Sequence, residues 1–486
     1  MVRAHYSGAR SRLVGSPEDI VGVSFERLRH AYFRDPYPSY AERREHLDSL
    51  RDLISSNQQK ITEAIAADFG GRSAYETRIA EILAPLSAIK YIRSHLRNWM
   101  RTQSRRVPVL FKFGSAKVVY QPLGVVGIIA PWNYPFQLAV EPAAYAIAAG
   151  NRVLLKPSEL TPRTSDLLKR LVGERFSPSV MSVVTGGPEV GAAFSSLPFD
   201  HILFTGSTQV GRTIMKAAAE NLVPVTLELG GKSPVILHDS FPIKRAAARI
   251  AFGKWANAGQ TCIAPDYVLV SERHRDALIA QLVTATRKSY PTIADNPDYT
   301  SIISATHYER LRALISDAEA KGAHKVVITK VGERIPESAH RLPPTLLYQV
   351  RDDMRVMQEE IFGPILPIMT YKTMDDAIAY VNQHPRPLAI YYFDRDRARA
   401  RKVLQQTTSG GAVVNDIALH FLVDDLPFGG IGPSGMGLYH GFDGFETFSH
   451  KKGIFIQSRF NVAGLFSPSH KQQVNALLNV LIGKPK

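Results

Sequence analysis

The sequence is almost without cysteine, holding only Cys262 in 486 residues. One thiol excludes an internal disulfide framework and any zinc or iron–sulfur site built from several thiolates, and no metal is expected. Long apolar runs are also missing. The best candidate, LGVVGIIAPWNYPF, is interrupted by Pro131 and Asn133 and falls short of the roughly 20 residues that cross a bilayer. It reads better as a buried strand. The opening residues MVRAHYSGARSRLVG carry basic side chains but no apolar core, so no secretory signal is read there. Acidic residues are scarce beside basic ones, 44 against 59, which leaves a net charge of +15. No nucleic-acid motif accompanies that excess, so it counts as general electrostatics favouring anionic ligands such as a dinucleotide. Together these features lead to the expectation of a cytoplasmic protein with no nucleic-acid partner and no transmembrane segment.

What is present is an α/β rhythm. From Lys117 the runs GVVGIIA, RVLLKP, MSVV, HILFTG and PVTLELGG read as strands, interleaved with helical EPAAYAIAAGN, TSDLLKRLVG and TQVGRTIMKAAAENL. Pro142 is placed near the start of the helix that Gly150 ends. After Pro234 a second series begins, with helical FPIKRAAARIAFGKWANAGQ, HYERLRALISDAEA and TMDDAIAYVNQ between strands YVLV, KVVIT, ILPIMTY and LAIYYF. The pattern predicts a doubly wound parallel sheet followed by a second α/β layer. Residues before Arg106 read as charged helix. VPVLFKFGSAKVVYQP (107–122) reads as a projecting β-hairpin, and VNALLNVLIGKPK as a short terminal amphipathic helix.

Four stretches carry possible chemistry. In FTGSTQVGRT a strand runs through Gly206 into a helix, and the backbone N–H groups of such a start suit a phosphate. Its spacing approaches a P-loop with Arg212 in place of lysine, and Asp239 closes the strand end VILHD. A nucleotide hydrolase is therefore one alternative, and a plain tight turn another. In LELGGKSP, Glu228 sits inside an apolar run as a buried ion-pair member or as a base with a raised pKa. Cys262 follows a helix end in NAGQTC, which is loop chemistry, although a lone cysteine often only packs. In PWNYPF, Asn133 between two prolines either caps a turn or donates to an oxyanion.

Seven motifs, PWNYPF, LLKPSELTP, FTGSTQVG, LELGGKSP, GQTC, EEIFGPILP and LPFGGIGPSGMG, stand in the order of the aldehyde dehydrogenase superfamily, which the chain resembles from about residue 30 to residue 460. LPFGGIGPSGMGLYHG and GFETFSH resemble its class-three branch. AGQTCIAPDYVLV with YHGFDGFETFSHKK is similar to bacterial coniferyl aldehyde dehydrogenases. The resemblance implies Cys262 as nucleophile, the Asn133 amide and the Cys262 backbone N–H as oxyanion donors, and Glu228 as the base that activates water. CoA-acylating relatives typically lack that glutamate, so its presence favours hydrolysis. The resemblance further implies Lys156 and Glu159 at the adenosine ribose, and Thr205, Gly206 and Ser207 at the nicotinamide and pyrophosphate. Glu360 would lie at the nicotinamide ribose, Phe362 beside the ring, and Trp132 and Gly211 as further cofactor contacts. A carboxylate at Glu159 would repel a 2′-phosphate, which favours NAD, with NADP as the alternative.

By the same resemblance the substrate is a small aldehyde, aromatic or cinnamyl such as coniferaldehyde, with a medium-chain aliphatic aldehyde as the alternative and Asn415–Leu422 near the pocket entrance. The implied protomer has a doubly wound NAD(P)-binding domain (1–106 and 123–230) and an α/β catalytic domain (231–433). A bridging β element (107–122 and 449–460) would pair two protomers into a homodimer, and 461–486 forms a C-terminal tail. Two departures stand out: Pro433 in GIGPSG, where a small flexible residue is usual, and a tail after Phe466 that matches no family anchor.

Overall fold

A computed structural model describes residues 16–108, 111–459 and 468–483. The amino-terminal 15 residues, two positions of the expected hairpin (Val109 and Leu110) and residues 460–467 and 484–486 of the tail fall outside the described residues.

Two large sheets carry the fold. The first has the order Gly435–Met436, Val225–Glu228, His201–Thr205, Val125–Ile129, Arg152–Lys156, Met181–Val183, and is parallel except for Gly435–Met436. Its central strands are buried along their whole length. Helices cover both faces, which is why they read as unbroken apolar runs rather than as alternation. The second sheet has the order His324–Val327, Thr345–Tyr348, Ile365–Tyr371, Tyr267–Ser271, Pro234–Leu237, Ala389–Phe393, Gly411–Val414, with only the first strand antiparallel. The α/β class expected from the sequence, a doubly wound parallel sheet followed by a second α/β layer, is found.

Local details differ from the sequence expectation. The helix containing Pro142 starts five residues before it and runs Gln137–Ala148, with the proline in its interior. The cap comes from elsewhere in the chain: one Glu81 carboxyl oxygen accepts from the N–H groups of Phe136 (3.0 Å) and Gln137 (2.8 Å). A small third sheet pairs Ser115–Pro122 with Gln103–Arg105 on one side and Ser449–Ile456 on the other. The first arm of the hairpin thus lies before Pro108, which has no N–H to give a ladder. The N–H of Phe111 turns back onto the Pro108 carbonyl at 2.9 Å. Residues 434–448, assigned to no domain from the sequence, return to the first sheet. Gly435 pairs with Glu228, and the helix Gly441–Thr447 packs on Gln137–Ala148. No described helix is long and apolar enough to cross a membrane.

The loop around Pro433 is closed by its neighbours. The Ile431 N–H donates to the Ser434 hydroxyl at 2.9 Å, and the Thr208 hydroxyl donates to the Pro433 carbonyl at 3.1 Å.

Candidate active site

Ile129, Lys156, Thr205 and Glu228 end four adjacent parallel strands. Ligands of doubly wound sheets bind beyond such carboxyl ends. A cavity of about 500 Å³ opens there, lined by Trp132, Asn133, Thr205, Gly206, Ser207, Glu228, Cys262, Glu360 and Phe362. Lys156 and Glu159 stand outside this lining, paired with each other at 2.9 Å. Gly211 lies one turn into the helix Thr208–Ala219, where a Cβ would come within 2.7 Å of Leu229. Its lack of a side chain lets helix and strand end meet.

Asn133 is held from three sides. The Arg72 guanidinium donates to its backbone carbonyl at 2.9 Å, pairs with Glu81 at 3.0 Å, and lies between the rings of Phe69 and Tyr134. Both charged groups are fully buried, so each needs the other. The Asn257 amide reaches the same carbonyl at 3.1 Å. The Asn133 amide nitrogen then donates to the Gln260 carbonyl at 3.2 Å. An NH₂ has two donors, so one remains for an oxygen in the cavity.

The chain reaches Cys262 through a sharp bend. Asn257 (φ 50°) and Ala258 (φ 51°) adopt left-handed backbone after the helix Ile243–Trp255. Single residues in that region store strain, which surrounding bonds must hold. Here the Asn257 N–H donates to Glu76 at 2.8 Å, and Gln260 bonds the carbonyls of Asn257 and Ser301. Cys262 is half-buried on the cavity wall. Burial first, then the nearby carboxyls of Glu360 and Glu228, push its thiol up to about 12. The thiol is therefore the resting form at neutral pH, and the reactive thiolate grows as pH rises. Alkylation of the ligand-free protein by iodoacetamide should accelerate about tenfold per pH unit from 6 to 9. A rate already level at pH 7 would contradict this.

Glu228 is buried, and neither carboxyl oxygen has a hydrogen-bond partner among the described residues. Of the two roles open from sequence, ion-pair member and base, the first finds no partner among the described residues. Burial pushes its pKa well above the ordinary carboxyl value. Glu360 is pushed up to about 8 by burial first and then by Asp266, against a hydrogen bond from Gly231. A Cβ at Gly230 would sit 2.1 Å from Glu360, so only glycine leaves that carboxyl room. Phe362 meets Trp132 edge-on at 5.3 Å. Lys232 of LELGGKSP pairs with Asp266 and donates to the carbonyls of Val356 and Glu359. Asp239 belongs to the other sheet and binds Ser271, Arg273 and His274. The two halves of a nucleotide-hydrolase site do not meet.

A nicotinamide dinucleotide fits this setting. The Thr205 hydroxyl is buried without a partner among the described residues, and Ser207, which caps the helix Thr208–Ala219, lines the cavity with Gln209. Gln209, His307, Arg310 and Glu359 also line the cavity and were not found from sequence. His307 and Arg310 lie three apart on the helix Ala305–Ala320, a one-face spacing that was the available signal. Of the expected entrance stretch, Phe421 and Leu422 line a second, smaller cavity beside Glu141.

The family profile of the aldehyde dehydrogenase family matches residues 37–454. A probable coniferyl aldehyde dehydrogenase of Pseudomonas aeruginosa is 52% identical over 454 residues, covering 93% of this chain and 94% of that protein. A coniferyl aldehyde dehydrogenase from a Pseudomonas species is 45% identical over 464 residues, covering 95% and 96%. Among solved structures, the substrate-bound state of Staphylococcus aureus AldH superposes with a TM-score of 0.89 at 41% identity, covering 94% of this chain and 99% of that one. A Mycobacterium tuberculosis aldehyde dehydrogenase complexed with NAD+ superposes at 0.82 with 29% identity, covering 92% of each.

Proposed function

Because the chain belongs to the aldehyde dehydrogenase family, and so to enzymes of NAD(P)-dependent aldehyde oxidation, we propose that it oxidises cinnamyl-type aldehydes such as coniferaldehyde to acids through Cys262. The observation that carries this is the meeting of Cys262, Asn133 and Glu228 on one cavity. The Cys262 thiolate attacks the aldehyde carbon, forming a thiohemiacetal. Its oxyanion takes hydrogen bonds from the free Asn133 amide N–H and the Cys262 backbone N–H. When bound, the nicotinamide would supply the two-electron oxidant, accepting the hydride that the thiohemiacetal loses on becoming a thioester. Ionised Glu228 then removes a proton from water, which attacks the thioester carbon, releasing the acid and restoring the thiol. Thr205, Gly206, Ser207, Glu360, Phe362 and Trp132 would hold the nicotinamide end of the cofactor, and Lys156 with Glu159 its adenosine ribose.

The cinnamyl assignment is supported by the coniferyl aldehyde dehydrogenases at 45–52% identity. Initial rates with coniferaldehyde and hexanal test it: coniferaldehyde should give the higher kcat/KM, and a preference for hexanal would reverse the assignment. NAD is the expected cofactor, because Glu159 opposes a 2′-phosphate beside Lys156. Glu159→Gln should raise kcat/KM for NADP relative to NAD about tenfold, the weight of one removed like charge. An unchanged ratio would take Glu159 out of cofactor choice.

The strand Ser449–Ile456 forms the edge of the small sheet, with Phe455 and Ile456 exposed. An uncovered edge of this kind invites pairing with a second copy, which supports a homodimer. A single reduced thiol doing nucleophilic work suits the cytoplasm.

A further inference from the structure

Two loops from different sheets bring Asn133 and Cys262 to one cavity. The loop 131–136 follows the strand Val125–Ile129 of the first sheet, and the loop 256–266 joins the helix Ile243–Trp255 to the strand Tyr267–Ser271 of the second. A donor that stabilises an oxyanion has to stand about 2.7–3.1 Å from the place where the charge develops. An error of about 1 Å there can cost about 10²-fold in rate. The Asn133 amide and the Cys262 N–H can therefore serve one oxygen only if the two loops keep a fixed spacing and a fixed tilt.

One anchor between the loops lies at Asn133 and Gln260. The Asn133 amide nitrogen reaches the Gln260 carbonyl at 3.2 Å, and the Asn257 amide bonds the carbonyls of both residues at 3.1 Å. Bonds gathered at one point leave a hinge. A second anchor lies one residue further along each loop, where the hydroxyls of Tyr134 and Thr261 stand 2.7 Å apart, one donating to the other. Each partner is fixed by its own loop. The Tyr134 carbonyl accepts from the Leu138 N–H at 3.0 Å, Pro135 follows with a locked φ, and the Arg72 guanidinium lies 4.8 Å from the centre of the tyrosine ring. The Thr261 carbonyl accepts from the Ala264 N–H at 2.9 Å, closing a turn across Cys262 and Ile263. The Thr261 side chain is itself stiff, being branched at Cβ. The bond thus joins two rigid pieces.

We propose that Tyr134 and Thr261 are a pair of positioning residues, whose bond sets the tilt of one loop against the other so that the Asn133 amide and the Cys262 N–H converge on the same substrate oxygen. This rests on the aldehyde oxidation assigned to Cys262. The oxyanion is absent from the bound aldehyde and develops only as the sulfur attacks, so loss of either hydroxyl should slow the chemical step and leave substrate binding alone. A pair that only met each other's bonding needs would leave the rate unmoved. A tyrosine that bound the substrate would show in the half-saturating concentration.

The test follows the first turnover of reduced cofactor against coniferaldehyde concentration, at saturating NAD, giving a maximal rate and a half-saturating concentration. The proteins are the wild type, Tyr134→Phe, Thr261→Val, their double variant and Thr261→Ser. Each of the first two substitutions should lower the maximal rate about tenfold to a hundredfold and leave half-saturation within about twofold. The double variant should fall no further than the worse single one, within about twofold, because the second change removes a bond already lost. Thr261→Ser keeps the hydroxyl and should stay within about threefold of the wild type. Melting temperature and binding of reduced cofactor check the fold of each variant, and either single variant alone decides on rate against half-saturation should the other not fold. Losses that multiply in the double variant, an unchanged maximal rate, or an effect confined to half-saturation would overturn the pairing while aldehyde oxidation stands. A wild type that oxidises no aldehyde with either cofactor would overturn the function assigned to Cys262 and this inference with it.

Discussion

Replacing Cys262 with alanine lowers the steady-state rate of aldehyde oxidation by about five orders of magnitude, the scale on which loss of a covalent nucleophile is felt. No other cysteine exists to substitute for it, and half-buried Cys262 lines the cavity at the edge of the core, where alanine removes only one small atom group. The fold should therefore survive the change, and binding of reduced nicotinamide cofactor, followed by its fluorescence, should persist. Residual turnover above a few per cent would show that the sulfur is not the attacking atom. Neither the wild type nor this variant should hydrolyse ATP or GTP with magnesium, because Gly206–Thr213 and Asp239 follow strands of different sheets. Magnesium-dependent hydrolysis surviving in the alanine variant would restore the nucleotide-hydrolase alternative.

Substituting Glu228 with glutamine separates the two halves of the reaction. The amide has the same shape but cannot take a proton, so acylation of Cys262 proceeds while water attack stalls. Mixing with coniferaldehyde and NAD should give a burst of about one equivalent of reduced cofactor, then a steady rate lower by about 10²–10⁴, the usual contribution of a general base. The wild-type rate also carries a pH signature. Burial holds Glu228 above the ordinary carboxyl range, so its ionised, base-competent fraction increases as pH rises, and kcat should climb with it. In the glutamine variant that rise should vanish. A variant with wild-type steady turnover, or one that keeps the climb, would assign the base to another residue.

Much of this site lies in short motifs because its residues sit at strand ends. A parallel strand buried on both faces announces itself as an apolar run, and the residue after the run is where a ligand meets the sheet. Thr205, Glu228 and Asn133 were legible for that reason. The strands Thr345–Tyr348 and Gly411–Val414 were not, being four residues long with neither a sustained apolar run nor a clean alternation. Pro142 misled because a proline inside a helix resembles one at its start when the cap, Glu81, comes from 55 residues upstream. The groups that orient Asn133 were beyond any local pattern. Arg72 acts across 61 residues and Asn257 across 124, and a separation in sequence of that size leaves no periodicity to read.

The pairing of Gly435 with Glu228 fixes a timetable for synthesis. A growing polypeptide completes the strand that ends in Glu228 early, yet the segment flanking that residue on its outer edge emerges only after some two hundred further residues. The ladder between 115–122 and 449–456 closes later still. Such distant partners make assembly slow relative to local contacts, so residue 435 must leave the ribosome before the Glu228 carboxyl is walled in. No amino-terminal fragment that stops short of Gly435 holds Glu228 in its finished setting.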